Sequence, residues 1–82
     1  MEISNKCVEI GITSDLIHLL VSKTKHLKGI PINVELSGID KFGIYCLHVG
    51  LLDNFRSEIT LHIDSKRIKI LNRQIKIDKL FT

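Results

Sequence analysis

Between Thr13 and Leu36 the apolar residues change period: they recur every three or four positions, then alternate. A chain carrying both periods back to back folds as helix packed on sheet. The helical stretch, residues 15–28, is marked at both ends. Thr13 and Ser14 are both suitable caps, because a hydroxyl accepts one of the N–H groups that a first turn leaves unpaired. Asp15 places negative charge at the positive end of the helix dipole. Leu16, Ile17, Leu20, Val21, Thr24 and Leu27 share a face, and Lys25, His26 and Lys28 occupy the last turn. Gly29 offers the left-handed residue that ends a helix. In the alternating stretch, Ile30, Ile32, Val34 and Leu36 point one way, and Pro31, Asn33 and Glu35 the other. Pro31 has no N–H to donate, so this strand starts there or lies at an edge. Ser37-Gly38 with Asp40 reads as the turn that follows.

The remaining segments read mostly as strand. Residues 6–12 alternate through Val8, Ile10 and Ile12, and residues 42–49 are apolar on both faces, as in a strand covered on both sides. Phe42 and Tyr45 are assigned to the core. Gly50 to Ser57 is a connection in which residues 51–55 form a helical turn. Glu58–Ile63, Lys66–Leu71 and Gln74–Asp78 read as three strands joined by two-residue hairpins at Asp64-Ser65 and Asn72-Arg73. In that meander Ile68 faces both Leu61 and Ile77, and Ile70 faces both Ile59 and Ile75, so the two turns agree on which residues point inward. The alternative is a helix over 66–81. It splits its apolar residues, with Ile68, Leu71 and Ile75 on one side and Ile70, Ile77 and Phe81 nearly opposite, and such poor amphipathicity favours strands. The expected fold is therefore α+β: an antiparallel sheet of five or six strands with the 15–28 helix packed on it, a small open barrel being the nearest variant.

Size bounds the function. A single domain of 82 residues buries only about 60% of its unfolded surface, which leaves little room for a deep, water-excluding pocket. No Gly-rich phosphate loop, nucleophile elbow or close carboxylate pair is present. The expectation is a non-enzymatic module without cofactor. No apolar run approaches the ~20 residues of a membrane span, and the N-terminal residues lack the pattern of a signal peptide, so a cytoplasmic, membrane-free protein is expected. Cys7 and Cys46 are expected to be reduced thiols packed in the core. His18 and His26 stand too far apart on a helix to share a metal. Only a Cys7/Cys46/His48 group is conceivable as a ligand set, and no metal is expected.

Charge is the more informative property. The formal net charge is +3, but residues 1–40 carry four lysines against five acids, whereas residues 41–82 carry eight basic residues against four acids. In the meander reading, the outward rows are Thr60, Lys69, Lys76 and His62, Arg67, Asp78. Lys69 and Lys76 then face each other, which is unfavourable unless an anion approaches. His62, Arg67, Lys69, Arg73 and Lys76 are thus the candidate anion contacts, on a basic sheet face that meets another protein or a nucleic-acid backbone. The competing reading is a solvated face that keeps sheet edges from pairing. Homo-oligomerisation through sheet edges is a further expectation, since Pro31 protects only one edge.

Two family resemblances rest on element order. The strand, the helix opening at Thr13-Ser14, the strand Ile32–Leu36 ending at Ser37-Gly38, the stretch Leu20-Val21-Ser22-Lys23 and the segment Ser57–Asp64 resemble the histidine-containing phosphocarrier proteins of the bacterial sugar phosphotransferase system. That resemblance implies a C-terminal helix. It also implies a degenerate regulatory or docking domain, because the phosphorylated histidine would fall at Thr13 or Ser14. Residues 14–78, read as one helix before five strands, also resemble Sm-like RNA-binding barrels.

Overall fold

The computed structural model describes residues 1–24, 29–52 and 57–81. Along the chain lie β1 (Glu2–Ile3), α1 (Asn5–Glu9), α2 (Ser14–Ser22), β2 (Ile30–Ile39), β3 (Ile44–Leu52), β4 (Glu58–Asp64) and α3 (Ser65–Leu80). The class is α+β. The sheet has four strands in the order β1-β2-β3-β4, with β1 parallel to β2 and the other pairs antiparallel. Among the described residues it is mixed and open, and the expected five or six antiparallel strands are not found.

All three helices lie on one face of this sheet. Val34 of β2, Leu47, Val49 and Leu51 of β3 and Ile63 of β4 are buried against Cys7, Ile12, Leu16, Ile17, Val21, Ile68 and Leu71. Fully burying one Leu or Ile contributes about 1.5–3 kcal/mol, so this single apolar layer holds the fold together. Cross-strand neighbours on the other face, such as Glu35, His48 and Thr60 in one row and Cys46 and His62 in the next, face away from the helices. The expectation that the 42–49 run is covered on both sides is therefore corrected. Its strand residues on the open face are Ile44, Cys46 and His48, and none of them is fully buried.

The helix read from residue 15 is α2. Thr13 caps it, its Oγ1 accepting from Leu16 N at 3.1 Å. It ends at Ser22 with Lys23 as C-cap, short of residue 28. Ser22 Oγ and Thr24 Oγ1 donate to the carbonyls of Leu19 and Leu20, competing for the groups a further turn would use. The expected last turn over 25–28 lies outside the described residues, as does the larger part of the helical turn expected at 51–55, whose Leu51 and Leu52 belong to β3.

Residues 6–12 are not a strand. Ser4 caps the one-turn helix α1, and Gly11, with φ of 92°, ends it. Ile12 N donates to Cys7 O and Gly11 N to Val8 O, the paired bonds of a Schellman stop, and Cys7 and Ile12 are buried in the same cluster. The alternation of Val8, Ile10 and Ile12 arises across a helix and its cap, and Val8 is left exposed.

The β2–β3 turn lies at Asp40–Gly43 rather than at Ser37-Gly38. Asp40 Oδ1 accepts from Phe42 N at 2.8 Å and Ile44 N at 3.0 Å, and Gly43 supplies a φ of 79°. Ser37 and Gly38 stay within β2, where a register shift between Leu36 and Gly38 leaves Ser37 as the extra residue of a bulge. Phe42 consequently sits in the turn, 75% exposed beneath the Lys41 ammonium, while Tyr45 packs against the core as expected.

The largest correction is at the C-terminal end. Residues 65–80 form one helix, α3, and not two further strands. Asp64, read as a hairpin residue, is the N-cap, its Oδ1 accepting from Arg67 N at 2.7 Å. Asp suits both roles because a short carboxylate reaches the nearby N–H groups of a turn or of a first helical turn alike. Ile68 and Leu71 are buried and Ile75 half-buried, a narrow stripe that suffices for a helix packed on one side only. Asn72 fixes the helix against α1, donating from Nδ2 to Gly11 O at 2.8 Å.

Candidate functional site

Turning residues 66–78 into a helix rearranges every basic residue in them. With about 100° between successive residues, Lys69, Arg73 and Lys76 fall within one 60° sector of α3, and Lys66 borders it. All four are exposed. Three of the five anticipated contacts, Lys69, Arg73 and Lys76, therefore come together as a stripe that runs along the helix. Lys69 and Lys76 do not face each other across a strand pair; they lie two turns apart, so the strain expected from opposed lysines is absent. Arg67 is 200° from Lys69 and points almost the opposite way. His62 lies on the open face of the sheet, opposite Cys46, with the sheet between it and the helices.

Two shallow depressions run beside the stripe. One is lined by Lys69, Asn72, Arg73 and Lys76. The next is lined by Thr13, Asp15, Asn72, Ile75, Lys76 and Lys79. In the second, Lys79 Nζ meets Asp15 Oδ2 at 2.5 Å. The hydrogen bond from Lys79, and then its charge, hold the Asp15 carboxyl below the ordinary aspartate range. This exposed ion pair ties the end of α3 to the start of α2, and it neutralises one lysine close to the stripe.

Sequence reasoning missed the apolar half of this surface. On the outward side of α3, next to the lysine stripe, Ile70 is 55% and Ile77 43% exposed, and Leu80 and Phe81 are 81% and 84% exposed. The signal was present: the apolar residues of 66–81 divide into two opposed groups, which argued against a helix only on the assumption that every isoleucine must be buried in the same molecule.

The sites considered for metal or thiol chemistry do not assemble. Cys7 is buried on the helical side of the sheet, whereas Cys46 and His48 project from the other side, and Cys46 is only partly buried. Both cysteines are free thiols. Among the described residues, no three His, Cys, Asp or Glu side chains are grouped to hold a metal ion, and no helix is long and apolar enough to cross a membrane.

Comparison of the chain with protein families, with curated proteins and with solved structures found no match. The C-terminal helix implied by the phosphocarrier resemblance is present as α3. The five successive strands implied by the Sm-like resemblance are not.

Proposed function

We propose that this chain is a non-enzymatic binding module that works through the outer face of α3, and that its partner is a protein surface carrying acidic and apolar groups together. The observation behind this reading is the pairing of two stripes on one exposed helix: Lys66, Lys69, Arg73 and Lys76 alongside Ile70 and Ile77. Ile70 and Ile77 are two turns apart, about 10.5 Å along the axis, so both reach a single partner groove. A nucleic-acid backbone would engage the cations and leave the isoleucines in water. An acidic protein surface with an apolar groove uses both. Electrostatic attraction then speeds encounter and the buried isoleucines slow release.

The test compares Lys69→Ser/Lys76→Ser with Ile70→Ser/Ile77→Ser. Both pairs are exposed, so unfolding free energies should change by about 0.5 kcal/mol or less per site. Partner capture from the native host, read by mass spectrometry at low and high salt, should be weakened in both variants. The lysine variant should lose the salt-sensitive part. Loss in the lysine variant alone, together with binding of the parent chain to duplex DNA or single-stranded RNA, would replace this reading with a nucleic-acid one. Retention in both variants would remove α3 as the working surface.

A further inference from the structure

The two edges of the sheet are built differently. The β1–β2 edge carries recognised devices against pairing: a two-residue β1, Pro31, and register shifts between Pro31 and Asn33 and between Leu36 and Gly38. The β4 edge carries none of these, its charged residues being Glu58 and Asp64 at its two ends. Glu58-Ile59-Thr60-Leu61-His62-Ile63-Asp64 pairs with β3 without a bulge and has no proline and no lysine.

The backbone groups free on that edge can be identified. Leu51 N donates to Ser57 O at 2.8 Å, so Ser57 and, by alternation, Ile59, Leu61 and Ile63 turn their N–H and C=O toward β3. Glu58, Thr60 and His62 turn theirs outward. We infer that these groups pair with β4 of a second copy of this chain, antiparallel about a two-fold axis at Thr60, joining two four-stranded sheets into one of eight.

Side-chain complementarity selects that register. Centred on Thr60, Thr60 meets its own copy and Glu58 of each copy meets His62 of the other, with Ile59 beside Leu61 on the helical face. Threonine pairs, a carboxylate accepting from an imidazole N–H, and branched apolar pairs are all favourable cross-strand neighbours. Centring on Leu61 would set Glu58 against Asp64, two acids, one already committed as the α3 cap. Centring on His62 would set two histidines face to face. Of these three two-fold registers, the one centred on Thr60 alone avoids setting two acids or two imidazoles against each other.

The helix layer agrees independently. α3 meets α2 on one flank through Lys79 and Asp15, so its other flank lies on the side of the free β4 edge. That flank carries Arg67, Gln74 and Asp78 in a row within about 40° of one another, with Gln74 Nε2 donating to Asp78 Oδ1 at 3.1 Å. A two-fold axis that makes the β4 strands antiparallel does the same to the α3 helices, and Arg67 of each copy then approaches Asp78 of the other. The lysine stripe stays on the solvent side.

The experiment is sedimentation velocity of the full chain over micromolar to near-millimolar concentration. A concentration-dependent dimer is expected. Thr60→Pro removes an outward N–H without touching the β3 ladder and should leave a monomer. Glu58→Lys, on the open sheet face opposite Gly50, should raise the dissociation constant roughly tenfold, and combining it with His62→Glu should restore pairing. A parent chain that stays monomeric throughout overturns the inference. So does a dimer that is indifferent to Glu58→Lys, whether or not Thr60→Pro folds.

Discussion

Individual side chains carry more of this fold than their number suggests. Gly11 ends α1 at φ of 92°, accepts from Asn72 of α3, and leaves only 3.1 Å between the position of an added Cβ and Ile68 Cγ2. Gly11→Ala should therefore destabilise by about 1–3 kcal/mol, from backbone strain and from displacement of α3, read as a lower urea midpoint. Asn72→Ala should cost about 1 kcal/mol, because the Gly11 carbonyl loses its partner. The Asp15–Lys79 pair behaves differently. Its carboxyl titrates below the ordinary range when folded, so its contribution to stability is present above the unfolded-state pKa and disappears as pH falls through the folded one. Lys79→Gln should move the Asp15 pKa back up, followed by carboxyl NMR, and the small stability difference between variant and parent should vanish in acid. None of these partnerships could be read from the sequence. Asn72 and Gly11 are 61 residues apart, and Lys79 and Asp15 are 64 apart.

α2 and α3 show what local pattern does and does not convey. α2 was legible because its cap, first-turn acid and apolar face all point the same way. In α3 the same signals were present but ambiguous. Asp64 serves as turn or cap, and Ile68–Ile77 alternate closely enough to imitate strands. The helical wheel of 66–81 sorted its residues correctly. Ile68, Leu71 and Ile75 do face the core, and Ile70, Ile77 and Phe81 do face away. What misled was treating outward isoleucines as evidence against a helix. Asp64→Ala should cost about 0.5–2 kcal/mol and reduce helical ellipticity, with Asp64→Ser largely restoring both, because the cap and not the charge holds the first turn. The candidate site follows from the same element. Lys69, Arg73 and Lys76 are singled out by a strand reading that the helix overturns. Their union as a stripe, the departure of Arg67 and the loss of His62 to the far face each depend on α3 being helical.

For the molecule as a whole, one apolar layer between three helices and one side of a sheet leaves two surfaces open: the outer face of α3 and the far face of the sheet with its β4 edge. A two-fold axis at Thr60 would present two α3 outer faces on the same side, so a partner with two acidic patches would bind a dimer more tightly than it binds either copy alone. Lengthening the sheet in this way leaves the core unchanged, so Thr60→Pro should separate the copies while each keeps its β3–β4 pairing. The α+β class, the start of α2, a strand over Glu58–Ile63 and the concentration of positive charge after residue 40 all follow from the chain read in order, because capping, periodicity and charge act between near neighbours. The parallel pairing of β1 with β2, the helical state of 65–80 and the division of the five basic candidates among three surfaces do not. Those depend on which of two locally acceptable conformations buries Ile68 and Leu71 against residues far away in sequence, a choice settled by packing between distant segments.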